Sequence, residues 1–116
     1  MGFDHSTYAF VGVHVPSDQY EGHASEEAER LDVVINNDPR LKELGVGHIY
    51  AGDYDRDELF LCWVPEGTGC EVQLGEWKAF EQQIPMKAFL ALMHLGVAAG
   101  YTGLAEPAFL VVPDMS

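Results

Sequence analysis

Hydrophobic and polar residues alternate in the segment YAFVGVHV, residues 8–15. A period of two with β-branched residues predicts a β-strand. One face of this strand would carry Tyr8, Phe10 and His14, and the other face would carry alternating valines. Pro16 lacks a backbone N–H and is expected to end the strand.

Residues 24–38 have a different periodicity, with apolar side chains spaced three and four residues apart. This spacing predicts an amphipathic helix. Ser25 is the expected N-cap, and the glutamates of the first turn complement the positive end of the helix dipole. The polar run Asn36–Pro39 ends the helix, and residues 40–45 are expected to add one helical turn closed by Gly45.

The middle of the chain predicts two further strands, at residues 46–52 and 58–64, joined by a charged loop of hairpin size. The second of these strands is apolar on both faces, which is typical of a central position. Beyond it, residues 66–76 form a loop or hold a short extra strand at Cys70–Leu74. Residues 77–83 indicate one or two helical turns.

The most apolar segment predicts a helix from about Pro85 to Ala99. Because it is apolar nearly all round, we expect it to be well buried. Gly100 is the expected C-cap. Residues 107–113 predict a last strand, and the prolines at both of its ends indicate an edge position.

These elements follow one another in the order β-α-β-β-α-β. The order predicts an α+β fold of the ferredoxin-like, split βαβ type, in which a four-stranded antiparallel sheet carries two helices on one face. It places the first and third strands in the centre of the sheet, and these are the longest strand and the most apolar one. A length of 116 residues predicts a single domain, residues 1–116.

The net charge narrows the classes of partner. Nineteen acidic residues stand against six basic residues and five histidines, which gives a formal net charge of −13. A field of this sign repels nucleic acids and anionic membranes and attracts basic proteins. We therefore expect a basic protein partner, and neither direct nucleic-acid binding nor membrane binding.

The densest acidic segment is DYDRDE, residues 53–58. Its D-x-D-x-D spacing resembles the start of a calcium-binding loop. The sixth position is Glu58 where such a loop needs glycine, and the twelfth is Val64 where it needs glutamate. We therefore predict no metal site and interpret the segment as the solvated tip of a hairpin. The alternative is a weak cation site of another type than the EF-hand, because three neighbouring carboxylates repel one another unless a cation neutralises them.

The acids of the first helix and of this hairpin form the predicted docking surface for a protein partner. In its sharpest form the hypothesis is mimicry, in which carboxylates replace phosphates and block the nucleic-acid groove of a target. Small acidic inhibitors of phages and mobile elements act in this way, and the analogy rests on size and charge alone. The predicted partner-binding residues are Glu26, Glu27, Glu29, Asp53, Asp55, Asp57 and Glu58.

A second hypothesis belongs to another class: a dimeric α+β barrel that binds or transforms a small ligand between two sheets. If the first two strands present aromatic residues and histidines away from the helices, that face needs cover, which a second copy would supply as a homodimer. Histidine would act there as acid or base, because its pKa lies near neutrality. The predicted ligand-binding residues are Tyr8, Phe10, His14, His48 and Tyr50.

Recognisable catalytic motifs are missing from the sequence, which contains no G-x-S-x-G, no glycine-rich phosphate loop and no H-x-x-x-H. Cys62 and Cys70 do not make a disulfide framework, and both are predicted to be reduced. The first ten residues lack the pattern of a signal peptide. We predict a cytoplasmic, non-enzymatic protein without a cofactor.

Overall fold

The structure is a computed structural model that describes the backbone of residues 6–53, 56–64, 71–72 and 84–114. Side chains are described for residues 7–51, 58–64 and 84–112. The elements in chain order are β1 (Ser6–Val15), a 3-10 turn (Ser17–Gln19), α1 (Ala24–Asn36), α2 (Pro39–Leu44), β2 (Val46–Asp53), β3 (Arg56–Trp63), β4 (Glu71–Val72), α3 (Met86–Ala99) and β5 (Ala108–Asp114).

The central strand of the sheet is β1. It pairs antiparallel with β3 through Val11–Val15 and with β5 through Ser6–Gly12, so β3 and β5 occupy opposite edges of it. The short β4 pairs with Thr7 and Tyr8 on the edge that β3 uses, because β5 already occupies the other edge there. β3 also pairs antiparallel with β2 along its whole length, so the predicted central positions of the first and third strands are confirmed.

The fold class predicted from the sequence is confirmed at the level of α+β. An open antiparallel sheet combines with three helices among the described residues. The path β2-β3-β1-β4 runs through the sheet, and β5 joins it at β1. This path does not establish the ferredoxin-like order, which stays a prediction.

The main core lies between one face of the sheet and the helices. Side chains alternate along a strand, so the valines of β1 and the leucines of β3 reach this face together. Each helix adds a fully buried leucine, namely Leu31, Leu41 and Leu95. The other face of the sheet carries a smaller cluster built on Phe10, Phe60 and Cys62.

The start of α1 differs from the prediction. His23, and not Ser25, is the N-cap, and the Glu26 carboxylate accepts a hydrogen bond from the His23 backbone N–H at 3.3 Å. Glu26 therefore satisfies one of the amide donors that a helix start leaves open. The predicted end is confirmed, because α1 stops at Asn36 and Asp38 caps the separate helix α2 by accepting from the Arg40 N–H at 3.0 Å.

The last helix, α3, is only partly buried. It ends as predicted at Gly100, whose φ of 87° is the left-handed conformation that glycine adopts without strain. One side of α3 packs into the core, whereas Met86, Leu90, Met93 and Val97 are exposed. The expectation of a well-buried helix therefore holds for only one side of α3, the side that packs on the core. No helix in the described part of the chain is long and apolar enough to span a membrane.

Two further sequence predictions fall partly or wholly outside the residues that the structure describes. Of the extra strand predicted at Cys70–Leu74, Glu71 and Val72 form β4, and the remainder lies outside the described residues. The helical turns predicted at residues 77–83 also lie outside them.

Gly12 is a position where the sheet has no room for a side chain. A Cβ at this position would lie 2.6 and 2.7 Å from the Phe10 ring and would collide with the backbone carbonyl oxygen of Leu61. We expect Gly12→Ala to lower the free energy of unfolding by about 1–3 kcal/mol through overpacking, measured by urea denaturation.

Gly47→Ala is the matched control, since it makes the same substitution in the same sheet. Its Cβ would lie 3.6 Å from Cys62 Sγ, an ordinary van der Waals contact. We expect a change within about 0.5 kcal/mol of the parent protein. Equal destabilisation by the two substitutions would contradict the steric explanation.

Candidate functional site

Three connections meet at one end of the sheet. β1 ends at Val15, which pairs with Leu59 near the start of β3, so the β1–α1 connection and the β2–β3 hairpin lie side by side. β5 begins opposite Gly12, so the connection from α3 also returns to this end. The Gln19 side chain donates to the Thr102 carbonyl at 2.8 Å and accepts from the Thr102 N–H at 3.0 Å, which joins two of the three connections.

The exposed side chains at this end are predominantly acidic. We call it the acidic end and define it by residues 16–29, 53, 56–58 and 100–107. Asp53 and Asp57 lie here by their backbone positions at the end of β2 and the start of β3, while their side chains, and Asp55 entirely, lie outside the described residues. The exposed acids that the structure describes here are Asp18, Glu21, Glu26, Glu29, Glu58 and Glu106.

Most of the described lysine and arginine side chains lie at the other end of the sheet. Arg40 and Lys42 belong to α2, which precedes β2 at the opposite end of the sheet. Lys87 lies in the first turn of α3, with its ammonium group 5.9 Å from the ring centre of Trp63, the last residue of β3. The described lysine and arginine side chains outside the core network therefore lie away from the acidic end.

Glu27 does not share the surface of its neighbours. It is only 5% exposed and receives hydrogen bonds from the Arg30 guanidinium, the shortest at 2.6 Å, and from the Tyr101 hydroxyl at 2.5 Å. Arg30 also donates to the Ala99 carbonyl at 2.9 Å. This network joins α1 to the C-terminal end of α3. The expectation that Glu27 faces a partner is therefore wrong, because its carboxylate is buried and already paired.

Hydrogen bonding keeps the Glu27 carboxylate charged despite its burial. Burial alone would raise its pKa, but the hydrogen bonds from Arg30 and Tyr101 outweigh burial and hold the pKa below its usual value. Burial also raises the pKa of the Tyr101 hydroxyl, and the bond to Glu27 raises it further. Tyr101 therefore stays protonated and remains a donor.

Glu58 is exposed and has one described partner. His14 Nε2 lies 2.8 Å from its carboxylate, and the His14 ring centre lies 5.3 Å from that of Phe60. Both groups are well exposed, so the pair contributes little to stability. Glu58 thus stays accessible at the start of β3.

The residues of the ligand-binding hypothesis are divided between two faces of the sheet. Phe10 and His14 lie on the face without helices, together with Tyr8. His48 pairs with Leu61 and Tyr50 pairs with Leu59, and paired residues share a face, so both point to the helix side. The expectation that all five share the open face is wrong.

His48 is engaged by the helix layer. Its Nε2–H donates to the Asp32 carboxylate of α1 at 2.6 Å. On the open face, Phe10 is buried and packs edge-on against Phe60, with ring centres 5.9 Å apart. Among the described residues, no three histidine, cysteine or acidic side chains converge as metal ligands.

Sequence reasoning missed four residues of this end. Arg30 and Tyr101 donate hydrogen bonds to the Glu27 carboxylate, and Asp18 and Glu106 are further exposed acids. The spacing of Glu27 and Arg30, three residues apart on one helix, was the available signal for pairing. Nothing in the sequence pattern linked Tyr101 to α1.

Comparison of the chain with family models, with curated proteins and with solved structures gives no match. The protein is thus characterised by its class, an α+β fold with an open antiparallel sheet, and by the geometry of its acidic end.

The buried network predicts a large difference between two neighbouring glutamates. We expect Glu27→Ala to lower the free energy of unfolding by about 2–3 kcal/mol, because it leaves the Tyr101 hydroxyl buried without its acceptor. Glu29→Ala, at an exposed site of the same helix, is the control and is expected to change stability by less than about 0.5 kcal/mol. Urea denaturation measures both, and similar losses would disprove the structural role of Glu27.

The same network predicts a pH dependence. The folded-state pKa of Glu27 is depressed, so its stabilising contribution is present above the unfolded pKa of about 4.3 and is lost as pH falls through the folded pKa. The melting temperature of the parent protein should exceed that of Glu27→Gln by a constant amount near neutral pH. This gap should narrow below about pH 4, and a gap independent of pH would contradict the assignment.

Proposed function

We propose that the protein is a non-enzymatic protein-binding module that docks its acidic end on a basic surface of another protein. One observation carries this proposal: exposed acids of the β1–α1 connection, of the N-terminal half of α1, of the start of β3 and of the α3–β5 connection lie at one end of the fold, whereas Arg40, Lys42 and Lys87 lie at the other end. Arg30 lies beside these acids, but its guanidinium is paired with Glu27. A net charge of −13 spread evenly would serve solubility alone. The cluster of described exposed acids at one end would orient the molecule in the electric field of a basic partner.

Docking through such a surface follows from simple electrostatics. Carboxylates without nearby cations keep an uncompensated field that extends about 8–10 Å into solution at physiological salt. This field accelerates encounter with a positive partner and aligns the acidic end with it. The surface that supports the proposal consists of Glu26, Glu29 and Glu58, joined by Asp18, Glu21 and Glu106.

In its finer form, the partner is a protein that handles nucleic acid, and the carboxylates occupy the groove that phosphates would fill. Such a partner has the basic surface that an anionic domain matches, and Asp53, Asp55 and Asp57 add to the anionic hairpin by sequence. Mimicry predicts that duplex DNA and this protein compete for the same site on the partner, whereas simple docking does not.

We also propose the ferredoxin-like arrangement as the scaffold that holds these connections. The pairing of β1 with both β3 and β5, and of β3 with β2, supports it. The α1 crossover leaves from the acidic end and the α3 crossover returns to it, which is how separate acidic segments come to lie together.

The ligand-binding barrel receives less support. Tyr8, Phe10 and His14 share the open face, but His48 and Tyr50 lie on the other face and Phe10 is buried against Phe60. A shared pocket lined by all five side chains does not fit this register.

Charge reversal at single exposed positions tests the docking proposal. Glu21→Lys and Glu29→Lys act at the acidic end, and Glu43→Lys on α2 makes the same change in net charge at the opposite end. Tagged parent and variant proteins are used to capture partners from host lysate. We expect each acidic-end variant to bind the captured partner about two- to fivefold more weakly, and Glu43→Lys to bind it like the parent protein.

Salt and DNA complete the experiment. Capture should fall as ionic strength rises, because exposed charge contacts are screened. Duplex DNA should displace the protein from its partner if mimicry is the mode of binding. Equal weakening by Glu29→Lys and Glu43→Lys would show an effect of net charge alone and would contradict docking through the acidic end.

A further inference from the structure

Four exposed apolar side chains form a stripe along α3. Met86, Leu90, Met93 and Val97 are 71%, 58%, 56% and 77% exposed. Their spacing of four, three and four residues places them on one narrow face of the helix, as in the contact seam of a pair of helices. We call this face the α3 stripe.

The α3 stripe is unusual in this chain because it carries no acid. Nineteen of the 116 residues are acidic, yet none lies among the fourteen residues of α3. The ionisable groups of the helix are Lys87 and His94, and His94 is hydrogen-bonded to Asp38 at 3.1 Å. Two copies with a net charge of −13 each repel one another over most of their surfaces, and this face lets them approach with little local repulsion.

A groove opens beside the C-terminal half of the stripe. It has a volume of about 220 Å³, and its walls are apolar side chains of α3 and of the connection to β5. Met93 and Val97 form one wall, and Leu104 and Pro107 form part of the other. A space of this size accepts one long apolar side chain, since a cavity of about 150 Å³ already admits benzene.

We propose that the occupant of the stripe is a second copy of this chain, with its α3 packed antiparallel to the first across a two-fold axis. This axis passes between Leu90 and Met93, so Met86 of one copy lies against Val97 of the other. A methionine side chain is long and adaptable, and from this position it reaches the groove beside Val97. The two-fold symmetry fills both grooves at once.

Charge selects the antiparallel arrangement. The C-terminal end of α3 lies at the acidic end of the fold, whereas its N-terminal end carries Lys87 and lies on the side of α2, whose exposed charges are Arg40, Lys42 and Glu43. Antiparallel packing places the acidic end of each copy beside the cationic groups of the other. Parallel packing would bring two acidic ends together at a cost in repulsion. This inference does not depend on the proposed partner of the acidic end.

The dimer is expected to be weak. The stripe runs about 16 Å along the helix, and a standard interface that buries about 800 Å² per partner is larger. We therefore expect a dissociation constant on the order of micromolar. Sedimentation equilibrium over a range of concentrations should show the mass rising from 12.8 kDa towards twice that value.

Lysine substitutions test the surface. Leu90→Lys and Met93→Lys change exposed side chains, so the fold should persist, which circular dichroism and the melting temperature check. We expect each to raise the dissociation constant on the order of a hundredfold, because the charge is buried twice in a two-fold interface. Val111→Lys is the control, since Val111 is an exposed apolar residue of β5, and it should leave the dimer unchanged.

Cross-linking tests the orientation in a Cys70→Ser background. An oxidised mixture of the single variants Met86→Cys and Val97→Cys should give a cross-linked dimer, and Met86→Cys alone should not. Self-linking of Met86→Cys would support parallel packing and overturn the proposed arrangement. The proposal is overturned if the parent protein stays monomeric, or if the dimer persists in Leu90→Lys. If the protein is monomeric and Leu90→Lys abolishes its capture of another protein, the stripe binds that protein instead.

Discussion

The position of β1 between β3 and β5 is the constraint on which the rest of the structure depends. A strand with both edges paired has no free backbone donors, and its two faces must each be covered. The valine face of β1 receives all three described helices, and Gly12 leaves room on the other face for the Phe10 ring. Because β3 and β5 run antiparallel to β1, the connections that precede them return to the end where β1 stops. The convergence of these connections at one end is thus a consequence of strand order.

The acidic residues that are paired inside the fold are different from those that are exposed at its acidic end. Arg30 is one of six lysine and arginine residues, and it pairs with the buried Glu27 where an unpaired charge would cost several kcal/mol, of order 3–5. Asp32 and Asp38 also have histidine partners. The exposed acids Glu21, Glu29 and Glu106 belong to the acidic end and lie far from Arg40 and Lys42. Arg30 thus serves the buried carboxylate, and the exposed acids that the structure describes at this end keep their charge exposed to solvent.

Periodicity predicted the strands and helices well, because apolar spacing reports directly on which face is buried. β1, α1, β3 and the Gly100 cap lie within a few residues of their predicted bounds. Register was not accessible in the same way. A shift of one residue moves His48 and Tyr50 to the other face, and only their pairing with Leu61 and Leu59 decides it. Burial of Glu27 depends on Tyr101, which is 74 residues away in the chain, and no local pattern encodes such a contact.

The apolar character of α3 is consistent with two situations that differ in their consequences for assembly. A helix apolar all round is either enclosed by its own chain or covered by another. In this protein α3 shares one face of the sheet with α1 and α2, and its stripe stays exposed. The stripe would therefore bind a partner through apolar contacts, and the acidic end would bind one through charge attraction. Rising salt would weaken docking through the acidic end, because the proposed contacts there are between charges. The apolar contacts proposed for the stripe would depend less on ionic strength, because they rest on the burial of apolar surface.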